Sequence, residues 1–512
     1  MAIKLFILMS LSILLSSGSF FLPQNLTDKI DNNTISDNEL DYALSINLIS
    51  AYHEKLKRAE QGSFIWLRYA QKIAKNDGEM SVSLAKFYLK SKETQKGLYW
   101  YRHAIKLGYQ PAVMALAQYY FETNRLAKAQ ELLLNRQNMP TDFILLALKV
   151  AIALGDEKAI EQYINKVSKL RSGQKLLAKI AHYQIFPINL SLSQFNYLDP
   201  TALITTEMSS SQSCSNSLQF FATTLADLEK ITRLKQQYAQ LPINRYICLA
   251  SPRYIPVSKL NCSHNSKSAI RCDESVWRLY AKDINSRYLA LMHPFGGANV
   301  HLGMLYIDRK DDLNILAHEI SHLLGFIDEY PLPKKHATCQ KEQASQLSHN
   351  IAVLKKVYQG EKAEIRSKIL LQIPWGSDIK PSTPILTKAN DINNQNKKDD
   401  ASKSLWLLGT PNNFDKQLGV FSASTCDNET IAAFKPLKKR TQLLYYEVDF
   451  PQEYLNFLSQ KPDKFLMPSF HYNLAMALIR KKQLLEGKHW LLKAAELENN
   501  NARKVKVLRG QF

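Results

Sequence analysis

Two kinds of apolar pattern alternate along the chain. From about residue 40 to 190, Ala, Leu and Tyr recur at spacings of three and four, the period of helices that bury one face. Between about 200 and 465 the pattern breaks into short β-rich runs punctuated by Pro and Gly. It predicts a strand over 217–224 (Leu218, Phe220, Phe221) and an amphipathic helix over 225–240. Further strands are predicted at Arg245–Leu249, Tyr288–Met292 and Val300–Ile307. Helical spacing returns over the C-terminal segment from 469 to 512. Residues 20–40, rich in Asn and Asp, read as a linker, and 387–404, poor in apolar residues, as a mobile surface insertion. The alternation predicts an α+β multidomain protein.

The helical part repeats itself. Leu84-Ala85-Lys86-Phe87-Tyr88 recurs as Leu116-Ala117-Gln118-Tyr119-Tyr120, with Trp100-Tyr101-Arg102-His103-Ala104 and Gly108 between the copies. Small residues let paired helices approach closely, and aromatics fill the groove between pairs. Near the C-terminus Leu474-Ala475 stands ahead of Trp490 at the same distance as Leu84-Ala85 ahead of Trp100. Ala494 then follows Trp490 as Ala104 follows Trp100. This period and pattern resemble the tetratricopeptide repeat family in its SEL-type variant. The resemblance implies a solenoid of stacked helix pairs with a surface for a protein partner. One pair cannot bury its own face, so the C-terminal pair is expected to dock on the solenoid or on the central domain.

The N-terminus changes the picture of where the chain works. Lys4 precedes the apolar run Leu5–Leu15 and the small residues Ser16–Ser19, the layout of a signal peptide over residues 1–19, with an uncleaved anchor as the alternative. All six cysteines lie between Cys214 and Cys426, which fits disulfides in an exported domain. The expected pairs are Cys262 with Cys272, Cys339 with Cys426, and Cys214 with Cys248. A periplasmic or secreted location follows. With 66 Lys and Arg against 46 Asp and Glu, the net charge is +20, which favours acidic partners such as anionic envelope polymers. No nucleic-acid motif stands in its required context.

The chemistry lies in Ile315-Leu316-Ala317-His318-Glu319-Ile320-Ser321-His322-Leu323-Leu324-Gly325-Phe326-Ile327-Asp328-Glu329-Tyr330. On a helix His318 and His322 project from one face, one turn apart, so both imidazoles can bind one Zn²⁺. Glu319 sits beside the first ligand, placed to accept a proton from water. Asp311 or Asp312 can cap the helix. Gly325 ends it in a reversal that brings residue 328 back towards the metal. A third protein ligand would leave one position open, as a catalytic site needs.

His318 through Gly325 matches HExxHxxG, the signature of the metzincin clan of zinc peptidases. The continuation Asp328-Glu329-Tyr330 resembles the bacterial IgA-peptidase-type family, as do Leu418-Gly419-Val420-Phe421 and Ala433-Phe434-Lys435-Pro436 downstream. The resemblance spans roughly residues 215–470 and is strong in about 13 of them. It implies His318, His322 and Asp328 as zinc ligands, with Glu329 as the alternative third ligand, and Glu319 as general base. It also implies that Gly296-Gly297-Ala298-Asn299 and the strand after it form an edge that pairs with extended substrate. Met467 is the candidate for the methionine turn of metzincins, and Tyr330, His336 and His471 are candidates for stabilising an oxyanion. The expected organisation is a signal peptide over 1–19, a helical-repeat domain over 40–195, a metzincin-like mixed α/β zinc peptidase domain over 200–468, and a C-terminal helical pair over 469–512. The expected activity is that of an exported zinc-dependent endopeptidase acting on a protein or peptide substrate. The alternative is an inactive envelope scaffold that binds through its repeats.

Overall fold

The computed structural model describes residues 21–134, 140–187, 216–263, 268–332, 348–388, 405–426 and 431–512. The protein is α+β, and its chain divides into two compact units at residues 1–150 and 151–512. The signal-peptide segment, Cys214, Cys339 and His336 lie outside the described residues.

The first unit is helical. It contains α1 (Asp37–Ser45), α2 (Ile49–Arg58), α3 (Phe64–Ala74), α4 (Gly78–Lys90), α5 (Thr94–Lys106), α6 (Gln110–Glu122) and α7 (Leu126–Leu133). The division falls within α8 (Thr141–Leu154). The repeat seen in the residues is a repeat of elements. From Gly78 to Gln110 (the starts of α4 and α6), and from Thr94 to Leu126 (the starts of α5 and α7), the offset equals that between Leu84 and Leu116. The expected linker over 20–40 is instead structured. Residues 21–31 are helical, and Ser36 and Glu39 close a capping box that starts α1. Leu26, Ile30, Ile35 and Leu40 share a small core with Ala43 and Ala51. Apolar residues spaced for one face outweigh the polar composition around them.

The second unit begins with α9 (Glu157–Val167) and α10 (Gln174–His182). Both were expected in the repeat domain. Tyr183, just after α10, hydrogen-bonds Thr232 (2.9 Å), and Lys179 pairs with Glu229, so this end of the helical region belongs with the sheet. The sheet is six-stranded, built from β1 (Asn216–Ala222), β2 (Ile247–Leu249), β3 (Arg253–Tyr254), β4 (Tyr288–His293), β5 (Asn299–His301) and β6 (Met304–Asp308). The helix α11 (Leu225–Tyr238) connects β1 to its parallel neighbour β2. Strand order is β2-β1-β4-β6-β5, parallel except for β5, which runs antiparallel to β6 and forms the edge. The single strand expected over Val300–Ile307 is therefore a hairpin: Leu302 and Gly303, both at positive φ, turn the chain between β5 and β6. All of β6 is buried, and the short β5 is not, so their apolar runs read as one strand in the sequence.

After β6 come α12 (Leu313–Leu323) and two small antiparallel sheets. One joins β7 (Ala352–Lys355), β11 (Phe421–Ala423) and β12 (Ile431–Lys435). The other, β8 (Val357–Gln359), β9 (Leu386–Lys388) and β10 (Leu405–Leu408), takes in the start of the expected mobile insertion, because Thr387 and Lys388 pair with β10. Its remainder, 389–404, lies outside the described residues. Helix α13 (Lys362–Gln372) lies between β8 and β9 in the chain, and α14 (Gln452–Gln460) follows β12.

The C-terminal helices α15 (Phe470–Arg480), α16 (Leu484–Glu496) and α17 (Asn501–Leu508) dock on the sheet domain. Phe470, Tyr472, Leu474, Trp490 and Ala494 share one core with Phe221, Trp277, Leu289 and Tyr306. Gly97 in α5 and Gly487 in α16 serve the same purpose: a Cβ at either would press within 3.0 and 3.2 Å of the carbonyl of Ala85 and Ala475, respectively. Each lets its helix lie close against the preceding one. The docking also carries a buried charge cluster. Glu498 accepts from Arg287 (2.6 Å) and Arg503, and Arg287 also donates to the Met467 carbonyl (3.0 Å). Cys262 and Cys272 form the expected disulfide; Cys248 and Cys426 are each in a disulfide as well, and their expected partners, Cys214 and Cys339, lie outside the described residues.

Candidate metal centre

The site helix α12 starts at Asp312, whose carboxylate accepts from the N–H groups of Asn314 (3.0 Å) and Ile315 (3.1 Å). Asp311 instead accepts from Asp308 N–H (2.6 Å) in the turn leaving β6. Leu316, Ile320 and Leu323 are fully buried and fix which face the helix turns inward. Gly325 then stands at φ +91°, and a Cβ there would lie 2.3 Å from the Phe465 carbonyl oxygen. Only glycine both adopts this conformation freely and leaves room for that strand of chain.

The reversal brings three donor atoms together. His318 Nε2 and His322 Nε2 are 3.1 Å apart, and Asp328 Oδ1 lies 3.1 Å from the first and 3.3 Å from the second. Each imidazole is held through its other nitrogen: His318 Nδ1 meets the Gln442 carbonyl at 2.9 Å and His322 Nδ1 the Phe326 carbonyl at 3.0 Å. A carbonyl accepts only, so both Nδ1 atoms carry hydrogen and both Nε2 atoms present lone pairs. Two lone pairs and a carboxylate oxygen in van der Waals contact repel unless a cation or a proton lies among them. Asp328 Oδ1 is buried, and among the described residues no donor is aligned to it as a hydrogen bond. Ligands about 2.0–2.2 Å from a tetrahedral Zn²⁺ lie about 3.3–3.6 Å apart, close to the edges of this triangle. Two nitrogens and one oxygen suit a transition-metal dication and not calcium, which takes six or more oxygens. The residues present fit zinc.

Burial alone would lower the pKa of His322, yet Asp328 and Glu319 hold it up at about 9. Asp328 is held well below the usual carboxylate range: burial opposes ionisation, but the two imidazoles outweigh it. Glu319, 6% exposed, lies beside the triangle and is pushed up by burial, with the imidazoles pulling the other way. Among the described residues no hydrogen bond engages its carboxylate.

The other expected residues divide. Glu329 turns away from the imidazoles into a buried ion pair with Lys435 (2.6 Å), so Asp328 is the carboxylate at the triangle. Tyr330 is half-buried near Asp328, and burial, then that charge, raises its pKa. The His471 ring packs between Phe470 and Trp490, and burial lowers its pKa to about 4. Met467 meets the end of α12 through its backbone, its N–H donating to Leu323 O (2.9 Å). The turn that holds His318 is Thr441–Tyr446, with Leu443 fully buried within it. Tyr446, which no pattern in the sequence singles out, sets its ring edge-on to His318 at 4.7 Å and lies 39% exposed at the site. Strand β5 is the last strand of the sheet and α12 packs against it, but the expected edge run before it is not free: Gly297 N–H donates to Ser268 O (2.9 Å) and Gly297 O accepts from Ile270 N–H (3.1 Å).

Comparison with protein-family models, with curated proteins and with solved structures finds no match.

Proposed function

We propose that the protein is an exported, zinc-dependent endopeptidase of metzincin-like type. One observation carries the proposal. His318, His322 and Asp328 converge on one point, with the buried carboxylate of Glu319 next to them on the same helix as the histidines. Two histidines and a carboxylate also suit ferrous iron. The glutamate directly after the first histidine is what hydrolysis adds to that set.

Zn²⁺ bound by His318, His322 and Asp328 would supply positive charge that acidifies water and polarises a peptide carbonyl. Glu319 accepts the proton of the attacking water and delivers it to the leaving amine. Its burial raises its proton affinity, which suits a group that must both take and return a proton. Gln442 and Phe326 keep both imidazoles in one tautomer and orientation through their carbonyls. The edge strand β5 would take extended substrate backbone as an added strand. The disulfide Cys262–Cys272 supports an oxidising compartment. The helical repeats would bind a protein partner or present substrate, and the net charge of +20 favours acidic envelope polymers as a surface.

The test is Glu319→Gln. Hydrolysis of an unfolded protein substrate, blocked by chelator in the wild type, should fall by at least about a thousandfold, while zinc content stays at one per chain. Wild-type activity in this variant refutes the assignment.

A further inference from the structure

Glu329 is nearly inaccessible at 1% exposure and sits directly after the proposed third ligand, yet it makes no contact with the imidazoles. Burying a carboxylate is costly unless it is paired and hydrogen-bonded. Here the pairing is complete. Glu329 accepts from Lys435 Nζ (2.6 Å), from the Tyr454 hydroxyl and from Asn350 Nδ2 (3.3 Å), while its backbone N–H donates to the Leu443 carbonyl (2.9 Å). Lys435 is itself 6% exposed and donates also to the Lys439 carbonyl (3.2 Å).

The four partners come from four separate segments: β12, α14, the chain before β7, and the turn at 441–446. That turn also holds His318, because Gln442 supplies the carbonyl for Nδ1. The loop between Gly325 and Glu329 is pinned along its length. Asn350 takes Ile327 N–H (3.0 Å) and donates to Ile327 O (2.8 Å), and the single Thr425 hydroxyl hydrogen is shared between the carbonyls of Asp328 and Tyr330. The same loop supplies Phe326 O, which orients His322. One short segment thus governs two of the three ligands directly and touches the turn that orients the third.

We infer that Glu329, through its buried pair with Lys435, is a positioning residue that fixes Asp328 and the Phe326 carbonyl for metal binding. The inference rests on the metal reading above. Neutralising Glu329 leaves Lys435 as an uncompensated buried cation at the root of the loop, which must then move.

The test is zinc titration of the full chain against a chromophoric chelator, at a temperature well below melting, alongside the Co²⁺ absorption spectrum. Glu329→Gln should bind zinc about 10–100-fold more weakly, and its Co²⁺ spectrum should change in intensity. Lys435→Met should do the same, and Lys435→Arg should restore most of the affinity. Tyr454→Phe, which removes one hydroxyl, should weaken zinc several-fold and serves if Glu329→Gln does not fold. Folded variants with wild-type zinc affinity and Co²⁺ spectrum overturn the inference alone. A wild type that takes up no zinc while His318→Ala behaves identically overturns the metal reading and this inference together.

Discussion

Gly325→Ala tests the reversal on which the metal triangle depends. Alanine at φ +91° incurs the left-handed penalty, about 1–2 kcal/mol. Its Cβ would also stand 2.3 Å from Phe465 O and 2.4 Å from Phe465 Cβ, an overlap with backbone that cannot swing aside. Overpacking of that kind adds about 1–3 kcal/mol. The sum is a loss of about 2–5 kcal/mol. Urea denaturation read by midpoint at constant slope measures it. Gly510→Ala is the control, since it shares a positive φ of +66° but its Cβ meets only the flexible Met476 side chain, with the sulfur at 3.5 Å. It should lose only the backbone part. Because Phe326 and Asp328 follow the turn, zinc affinity should fall with stability in Gly325→Ala. A loss under about 1 kcal/mol with zinc binding unchanged would refute the claim that this glycine sets the site.

Further outcomes follow from the packing. His349 is wedged between Phe326 and Phe465, and burial, then Lys464 and Lys461, lowers its pKa from 6.5 to about 3. Below pH 6.5 the unfolded chain takes up a proton at this position that the folded one refuses, so the contribution of His349 is constant above that pH and is lost as pH drops towards 3, about 2 kcal/mol of it by pH 5; the buried His471 adds a loss in the same window, so His349→Gln should remove roughly half of the histidine-linked slope in pH-dependent denaturation. Glu498→Gln leaves two buried guanidinium groups without their carboxylate and should cost about 3–5 kcal/mol in chemical denaturation. Chelation should lower the melting temperature in differential scanning, by the equivalent of about 2.7 kcal/mol when zinc had stood 100-fold above its Kd.

The legible parts of the sequence were those set by short-range rules. The recurrence of Leu84-Ala85 as Leu116-Ala117 marks true helix spacing, and the HExxHxxG run places His318 and His322 on one face with Gly325 as the stop. Asp328 follows from the reversal. Tyr446, Gln442, Asn350 and Lys435 were not legible, because each reaches the site by tertiary contact from a distant part of the chain, and no local pattern marks a carbonyl that will hold an imidazole. The turn around Leu443 escaped notice for the same reason, whereas Met467, whose place in the chain drew attention, meets α12 through its backbone N–H. The C-terminal pair carries the same small-and-aromatic signature as the repeats, which predicts its helices. That the pair must dock follows from the face it cannot bury alone; that it docks on the sheet depends on Phe470 and Tyr472 meeting Phe221 and Trp277, and on Glu498 meeting Arg287, partners far back in the chain that no local spacing announces.

X-ray absorption at the zinc edge of the purified full chain tests the central claim most directly. The predicted first shell is two imidazole nitrogens, one carboxylate oxygen and one further light atom not supplied by the protein, all at about 2.0–2.2 Å. Sulfur at about 2.3 Å, a third imidazole, or no bound zinc would contradict it.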